Sequence, residues 1–292
     1  MFKGLLCVIG ASVIFGITPS IAKQLLNNGL SPIVLIFWYS AISALLNAAT
    51  ARLERRSLRA TPRATMQLLG VGLISGATSL LLNSSYNYIP AGVATTIHFL
   101  YPTVTAVAMA LFFGQRFTRA RALAVLFSLA GMFCVAGIKA SASLAGYALA
   151  LGSAVTYAAY LMAMGRLHFD GLHSAGRLFW SNLCVAVVMG GLLLFQRQGA
   201  LVPDWKGAGA IALNCILMFV AYRLLLYGIG YLGATTTAFT SMAEPITSLI
   251  VSKLLYPEDK ITLVNLLGVV LILSAMLLAT VQRKQVPVGE NI

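Results

Sequence analysis

The sequence predicts an all-α membrane protein with ten transmembrane helices, arranged as two inverted repeats of five helices each. The first observation behind this prediction is the composition. Of 292 residues, 59% are hydrophobic and only 9% are charged, whereas a water-soluble domain carries about 25% charged residues. This composition excludes a soluble enzyme, a disordered chain and a secreted module. It leaves a multi-pass membrane protein, whose outer surface can be as apolar as its core.

The second observation is the number of apolar runs. A membrane-spanning helix takes about 20 largely apolar residues, and the chain contains ten such runs, joined mostly by short connections. The strands of a membrane barrel would alternate in polarity instead. The first run is too long for a cleaved signal peptide, and no A-x-A site follows it. The predicted spans are Leu5–Leu25, Pro32–Ala51, Thr65–Tyr86, Gly92–Phe113, Ala120–Ile138, Leu144–Gly165, Ala175–Phe195, Gly207–Gly228, Ala234–Leu255 and Ile261–Val281.

The third observation is a correspondence between the two halves. Phe37-Trp38 returns as Phe179-Trp180, and Gly10–Phe15 is answered by Gly152–Tyr157, both at an offset of 142 residues. The ordered series predicts two repeats, over residues 1–141 and 142–292. Because five spans is an odd number, the second repeat enters the membrane from the opposite side. Inverted repeats of this kind are typical of secondary transporters, whose substrate site lies near the midplane between the repeats.

The distribution of positive charge predicts the orientation. Cytoplasmic loops collect Lys and Arg. If the N-terminus is cytoplasmic, the loops on that side hold 13 basic residues against 6 on the other side, and the stretch 52–63 is the strongest determinant. Both termini are therefore predicted to be cytoplasmic. The net charge of +13 is attributed to topology and not to nucleic-acid binding. The cysteines lie in apolar runs, which fits neither a disulfide framework nor a zinc site.

Three segments carry a family resemblance. Phe15–Lys23 has an aromatic-Gly pair and a Lys at its far end, and Tyr86–Pro102 and Tyr227–Thr237 span the junctions between the third and fourth helices of the two halves. These segments resemble those of the drug/metabolite transporter superfamily, in particular of proteins with two EamA-type domains. The resemblance covers nearly the whole chain and implies a ten-helix transporter of small metabolites. The family's acidic residue after the fourth helix is replaced by Gly114-Gln115-Arg116, although its second-half counterpart, Glu258, is present.

Only two charged side chains lie well inside predicted spans, away from the span ends, and both are candidates for substrate binding. Glu244 lies in the ninth span, and an intramembrane carboxylate is costly and usually functional. The alternative is a neutral Glu that compensates for the helix bond lost at Pro245. Arg223 lies in the eighth span, where it either extends to the inner interface or pairs with Glu244.

Other candidates line the same predicted level. Lys23 is either an interfacial anchor or, as the resemblance implies, a site residue. His98 either lines a cavity or packs as a neutral ring. Tyr101, Tyr157 and Tyr222 are the tyrosines nearest midspan and offer hydroxyls and ring faces to a substrate. The prolines predicted to act in gating, as helix kinks, are Pro19, Pro102 and Pro245.

These features predict a secondary carrier, not an enzyme, that works by alternating access without a cofactor. By family analogy, the expected substrate is an amino acid or a related metabolite, exported across a bacterial inner membrane with protons as the candidate coupling ion. The alternatives are a broad-specificity efflux carrier for drugs or toxic compounds, a channel and a membrane-embedded enzyme. No G-x-x-x-x-G-K-[ST] motif is present. The loop His168–His173 contains three potential metal ligands without a second cluster, which disfavours a metal site.

Overall fold

The computed structural model describes residues 2–89, 91–115, 118–136, 143–196, 205–255 and 262–283. In these ranges six helices are long and apolar enough to cross a membrane by length and composition. The prediction of an all-α, multi-pass membrane protein is confirmed. The helices are α1 (Phe2–Asn27), α2 (Pro32–Leu53), α3 (Pro62–Ser85), α4 (Ala91–His98), α5 (Tyr101–Phe113), α6 (Arg119–Ala136), α7 (Leu144–Arg166), α8 (Ser174–Phe195), α9 (Trp205–Thr240), α10 (Ala243–Leu255) and α11 (Leu263–Arg283).

Hydroxyl side chains start several of the long helices. The side chains of Ser31, Thr61 and Ser143 each accept a hydrogen bond from the backbone N–H three residues later, at the beginning of α2, α3 and α7. Such caps satisfy one of the backbone donors that a helix leaves unpaired at its N-terminus. Proline occupies the first position of α2 and α3, where the missing N–H costs nothing.

The fourth and ninth spans, predicted as Gly92–Phe113 and Ala234–Leu255 with kinks at Pro102 and Pro245, are interrupted and not only kinked. The fourth span consists of α4 and α5, separated at residues 99–100, and the ninth consists of the end of α9 and α10, separated at residues 241–242. The physical reason is a proline soon after each break, Pro102 and Pro245. Proline has no N–H to donate to the carbonyl four residues earlier, and its ring crowds that carbonyl. The eleven helices of the described residues thus make up ten spans.

The turn between the eighth and ninth spans is unusually short. Gly233 has φ 74° and ψ 165°, which interrupts the helical backbone inside α9. This conformation lies in the left-handed region that glycine adopts without a steric penalty. A single glycine therefore replaces the loop that the sequence predicts at residues 229–233.

Helix packing follows the inverted repeat. α1 packs on α9, and its counterpart α7 packs on α3, while α2 packs on α8 and α6 on α11. Close contacts at glycine repeat at equivalent positions: a methyl group on Gly4 would lie 2.6 Å from Cβ of Tyr231, and one on Gly146 would lie 2.9 Å from Cβ of Tyr88. A second set shows the same relation at 3.3 Å, Gly10 with Leu224 and Gly152 with Leu81. In each set, one contact joins a glycine of α1 to α9, and the other joins the equivalent glycine of α7 to the equivalent position on or just after α3.

The connections α2–α3, α5–α6 and α7–α8 meet at one end of the bundle, which we call the basic end because it carries the arginine-rich stretch 52–63. Thr61 donates a hydrogen bond to Asp170, and the Thr235 hydroxyl donates one to Gln115 Oε1 over 3.2 Å. The guanidinium of Arg166 lies 5.1 Å from the centre of the Phe113 ring. These contacts bring connections of both repeats together at the same end.

Candidate functional site

A cavity of about 140 Å³ lies between the two repeats. It is lined by α1, α2, α3 and the end of α4 from the first repeat, and by α7, α9 and α10 from the second. Its polar and aromatic lining includes Phe15, Thr18, Tyr39, Thr78, Ser79, Asn83, Tyr86, Thr95, His98, Tyr157, Asn214, Tyr222 and Glu244.

The cavity extends away from the basic end. In α1 and α3, which both start near the basic end, the lining residues fall in the later half, such as Pro19 and Asn83. In α2, which runs the opposite way, they fall in the first turns, at Leu35, Ile36 and Tyr39. The cavity therefore reaches from the middle of the bundle toward the end opposite the basic end, and we call that side its mouth.

Glu244 lies at the inner part of the cavity, where the two discontinuous spans meet. It is the second residue of α10, a position at which the helix dipole favours a negative charge. The Tyr101 hydroxyl, at the start of α5, donates a hydrogen bond of 3.5 Å to Glu244 Oε1. Tyr101 itself is fully buried and is not among the lining residues, so it supports Glu244 from behind.

His98 ends α4 and faces the same cavity. Its Nδ1 lies 2.9 Å from the Ser153 hydroxyl, which lies 2.6 Å from the Ala150 carbonyl. A serine hydroxyl has one proton to donate. A Ser153 proton donated to the carbonyl leaves the hydroxyl oxygen as an acceptor, an arrangement that suits the tautomer of His98 with a proton on Nδ1. The contact fixes the ring between α4 and α7.

Aromatic rings form the floor of the cavity on the side of the basic end. The Tyr157 ring centre is 4.7 Å from that of Tyr101 in an edge-to-face arrangement and 5.3 Å from that of His98. Tyr222 contacts Phe15 edge to face at 5.3 Å and stacks on Tyr39 at 6.0 Å. Aromatic rings prefer edge-to-face or offset-stacked arrangements, so these contacts hold each ring in one orientation. The rings therefore present defined faces to the cavity.

The polar lining contains many residues that were not predicted from the sequence, and Tyr39 and Asn214 are two of them. The Asn214 Oδ1 is buried and has no hydrogen-bond partner among the described residues. A buried amide oxygen without a partner is costly, and a ligand in the cavity is one way to satisfy it. The sequence did contain a signal for Asn214 as a lining residue: it is an amide inside the apolar run of the eighth span, and polar groups at that depth usually face a cavity. Tyr39 directly follows the repeated Phe37-Trp38 pair.

A charged network lies at the basic end, and in it Arg223 pairs with Glu54 and not with Glu244, which was one of the two alternatives for Arg223. Arg223 Nη2 lies 3.2 Å from Glu54 Oε1 and 3.1 Å from the Tyr227 hydroxyl. His173 Nδ1 lies 3.4 Å from the other Glu54 oxygen. Arg223 points from α9 toward the end of α2, whereas Glu244 faces the cavity behind a helix break. We call Glu54, His173 and Arg223 the basic-end network.

The remaining predicted residues are placed as follows. Pro19 lines the cavity within the continuous helix α1, whereas Pro102 and Pro245 follow the two helix breaks and are not among the lining residues. The Lys23 side chain and Glu258 lie outside the described residues. In the loop predicted not to bind metal, Asp170 accepts from Thr61. No group of three potential metal-ligating side chains occurs among the described residues.

Comparison with known proteins agrees with this architecture. The chain is 24% identical over 236 residues to the uncharacterized transporter sll1319 of Synechocystis sp., covering 77% of this chain and 69% of the relative. It is 25% identical over 226 residues to the uncharacterized transporter YvbV of Bacillus subtilis, covering 74% of this chain and 70% of the relative. A crystal structure matches the fold with a TM-score of 0.81 at 18% identity, over 98% of this chain and 99% of the other.

The model of the EamA-like transporter family matches the chain twice, at residues 2–137 and 144–281. The two matches fall on the two sets of five spans whose contacts exchange with each other in the structure. The chain belongs to the EamA-like transporter family.

Proposed function

We propose that this EamA-family protein exports an amino acid or a related small amine by alternating access, and that the cavity at Glu244 is its substrate site. The observation that carries the proposal is the asymmetry of the cavity between two symmetric repeats. Pro19 and Ala22 of α1 line the cavity. Leu161 and Met164, at the equivalent positions of α7, are 0% and 4% exposed. In inverted-repeat carriers, exchange of the two repeat conformations opens the opposite side.

The chemistry of the inner cavity supports an amine as the recognised group. The Glu244 carboxylate and the unpartnered Asn214 oxygen are both acceptors, and an ammonium group offers three donors. The faces of Tyr157 and Tyr222 add cation–π attraction. The cavity is also small, because pockets for drug-sized ligands measure about 300–1,000 Å³. Together these features favour a compact substrate with a positive charge.

A second candidate function is efflux of amphipathic organic cations. The observation that favours it is the lack of any Lys or Arg among the described lining residues, so the described cavity offers a zwitterion no full positive charge for its carboxylate. The hydroxyls and amides near the mouth, such as Thr78 and Asn83, provide weaker donors for that group. The two candidates differ in whether the substrate carboxylate is recognised.

The proposed setting is a bacterial inner membrane with the basic end and both termini in the cytoplasm, as the loop charges predict. The cavity then opens outward. We propose residues 1–141 and 142–292 as the two moving repeats, whose boundary lies outside the described residues. Protons are the proposed coupling ion, with Glu244 as the group that exchanges a proton for the substrate.

Counterflow in proteoliposomes tests the proposal with matched compounds. Each labelled set contains an amino acid, the amine formed by its decarboxylation and its N-acetyl derivative, which lacks the positive charge. Uptake of the amino acid and exclusion of the N-acetyl compound would support amino-acid transport, and preference for the amine would support cation efflux. Counterflow that is equal for all three, or strongest for the N-acetyl compound, would contradict recognition of an amine at Glu244.

A further inference from the structure

A second cavity, of about 760 Å³, lies at the basic end against the outside of the bundle. We call it the arginine groove, and we define it by Arg52, Arg56, Arg59, Phe179 and Trp180, with Ala48, Ala49, Ser57 and Leu58 as the remaining lining. It lies between the end of α2 and the beginning of α8 and shares no lining residue with the substrate cavity.

The turn after α2 brings the three arginines together. The Arg56 N–H bonds to the Ala51 carbonyl over 2.8 Å and the Arg55 N–H bonds to the Arg52 carbonyl over 3.2 Å, which is the hydrogen-bond pattern of a Schellman motif. Arg55 has φ 52°, a left-handed conformation that usually belongs to glycine at this position. The motif reverses the chain, so that Arg56 and Arg59 lie over the same groove as Arg52.

Trp180 fixes the other wall of the groove. Its indole Nε1 donates a hydrogen bond of 2.9 Å to the Leu58 carbonyl, which ties α8 to the turn across 122 residues of sequence. Tryptophan is favoured at the level of lipid headgroups because its ring is apolar and its N–H is polar. The hydrogen bond therefore gives the groove a fixed wall, and that wall is a residue type favoured at the depth of lipid headgroups.

The arginines of the groove have no acidic partner among the described residues. The nearest acid in the sequence, Glu54, is engaged with Arg223 and His173. Three guanidinium groups on one groove create a local positive potential that attracts a multivalent anion. Guanidinium groups match phosphate oxygens with two parallel hydrogen bonds each.

We propose that the arginine groove binds the phosphate headgroup of an anionic phospholipid from the leaflet at the basic end. Arg52, Arg56 and Arg59 bind the phosphate, and the small side chains of Ala48 and Ala49, together with Phe179, leave an apolar path for an acyl chain. Basic pockets between transmembrane helices at the cytoplasmic side are known to hold anionic lipid headgroups. This site is independent of the proposed transport substrate.

Quenching of Trp180 by brominated lipids tests this site directly. Trp38 and Trp205 are replaced by Phe, and the protein is placed in nanodiscs that contain brominated phosphatidylglycerol or brominated phosphatidylcholine at equal mole fraction. We expect stronger quenching by phosphatidylglycerol. Arg52→Gln, Arg56→Gln and Arg59→Gln together should remove this excess, since each neutralised arginine lowers the relative affinity about fivefold. The single Arg56→Gln variant gives a partial loss if the triple variant does not fold.

The matched control neutralises Arg55, Arg63 and Arg119, which are exposed at the basic end but lie outside the groove lining. This control should keep most of the excess quenching. An equal loss in the control would show bulk attraction and overturn the proposal, as would equal quenching by the two lipids in the parent protein. Loss of the excess on addition of inorganic phosphate would identify free phosphate as the occupant and would overturn the lipid assignment.

Discussion

Tyr101 and Glu244 occupy equivalent positions in the two repeats, and the hydroxyl of the first donates a hydrogen bond of 3.5 Å to the carboxylate of the second. Each residue directly precedes its repeat's proline and lies in the first turn after a helix break. The contact therefore joins the two discontinuous spans near the axis that relates the repeats. Glu244 has a carboxyl group, whereas its counterpart Tyr101 has a neutral phenol. Two symmetric repeats therefore contribute chemically different groups to the site.

Tyr101→Phe should weaken substrate binding without unfolding the protein. The substitution removes the hydroxyl that supports Glu244 and keeps the buried ring. A hydrogen bond contributes about 1 kcal/mol, which is roughly a fivefold change in affinity. We expect a several-fold rise in the apparent KM for counterflow. Tyr231→Phe is the control, because Tyr231 is 43% exposed and does not line the cavity, and an equal effect in both variants would refute the role of Tyr101.

Gly146→Ala should destabilise the contact between the repeats. The added methyl group would lie 2.7 Å from Cγ2 of Ile89, and overpacking of this kind costs about 1–3 kcal/mol. Gly70 lies inside α3 with no atom within 4 Å of an added methyl group, so Gly70→Ala should be neutral or slightly stabilising. Thermal unfolding in detergent compares the two variants. Equal melting temperatures would argue against this glycine contact as a tight packing point.

Glu54→Gln should favour opening of the basic end. The carboxylate joins α2 to α9 and to the beginning of α8, but its side chain is 37% exposed, so the contribution is limited to about 1 kcal/mol. Spin labels on cysteines at 119, at the start of α6, and at 168, in the connection between α7 and α8, report the opening as a longer distance between the two repeats. We expect the population at the longer distance to rise roughly fivefold. Arg63→Gln, which removes an exposed charge at the same end that forms no ion pair among the described residues, is the control and should leave the distribution unchanged.

Much of the architecture was predictable from sequence. The number of spans follows from apolar length, and the inverted repeat follows from matching motifs such as Phe37-Trp38 and Phe179-Trp180. Glu244 was predictable because a carboxylate in a span needs a polar environment. The breaks were not, since a proline permits either a kink or an interruption. Tertiary packing decides between them: a methyl group on Gly16 would lie 2.9 Å from the Glu244 carbonyl oxygen, so α1 approaches the backbone directly at this break.

The partner of Arg223 was also beyond prediction from sequence. Glu54 is 169 residues away along the chain, and it reaches Arg223 only because the C-terminal end of α2, which Glu54 caps, packs against α9. Tyr39 and Asn214 were missed for a related reason. Which polar side chains of an apolar helix face the cavity depends on the rotation of that helix, and neighbouring helices set the rotation.

Glu244→Gln should separate coupling from exchange, if protons drive transport. The amide cannot release a proton, so a pH gradient should no longer drive accumulation in proteoliposomes. Exchange of labelled for unlabelled substrate requires no net proton release and should continue, although with a higher apparent KM because the amide lacks the negative charge that binds the amine. Accumulation driven by the pH gradient at the wild-type level would exclude Glu244 as the proton carrier. Tyr231→Phe again serves as the control for effects of purification and reconstitution.

Protection of a cysteine at position 79 tests the central claim most directly. Ser79 lines the cavity toward its mouth, and Ser79→Cys is a small change in a variant whose native cysteines, Cys7, Cys134, Cys184 and Cys215, are replaced. A membrane-impermeant thiol reagent should label this cysteine from outside the cell, and His168→Cys at the basic end only from inside. The compound that gives the strongest counterflow should slow labelling at 79 and leave labelling at 168 unchanged. Labelling at 79 that occurs only from the cytoplasm, or at a rate that the transported compound does not alter, would contradict an outward-open substrate site at this cavity.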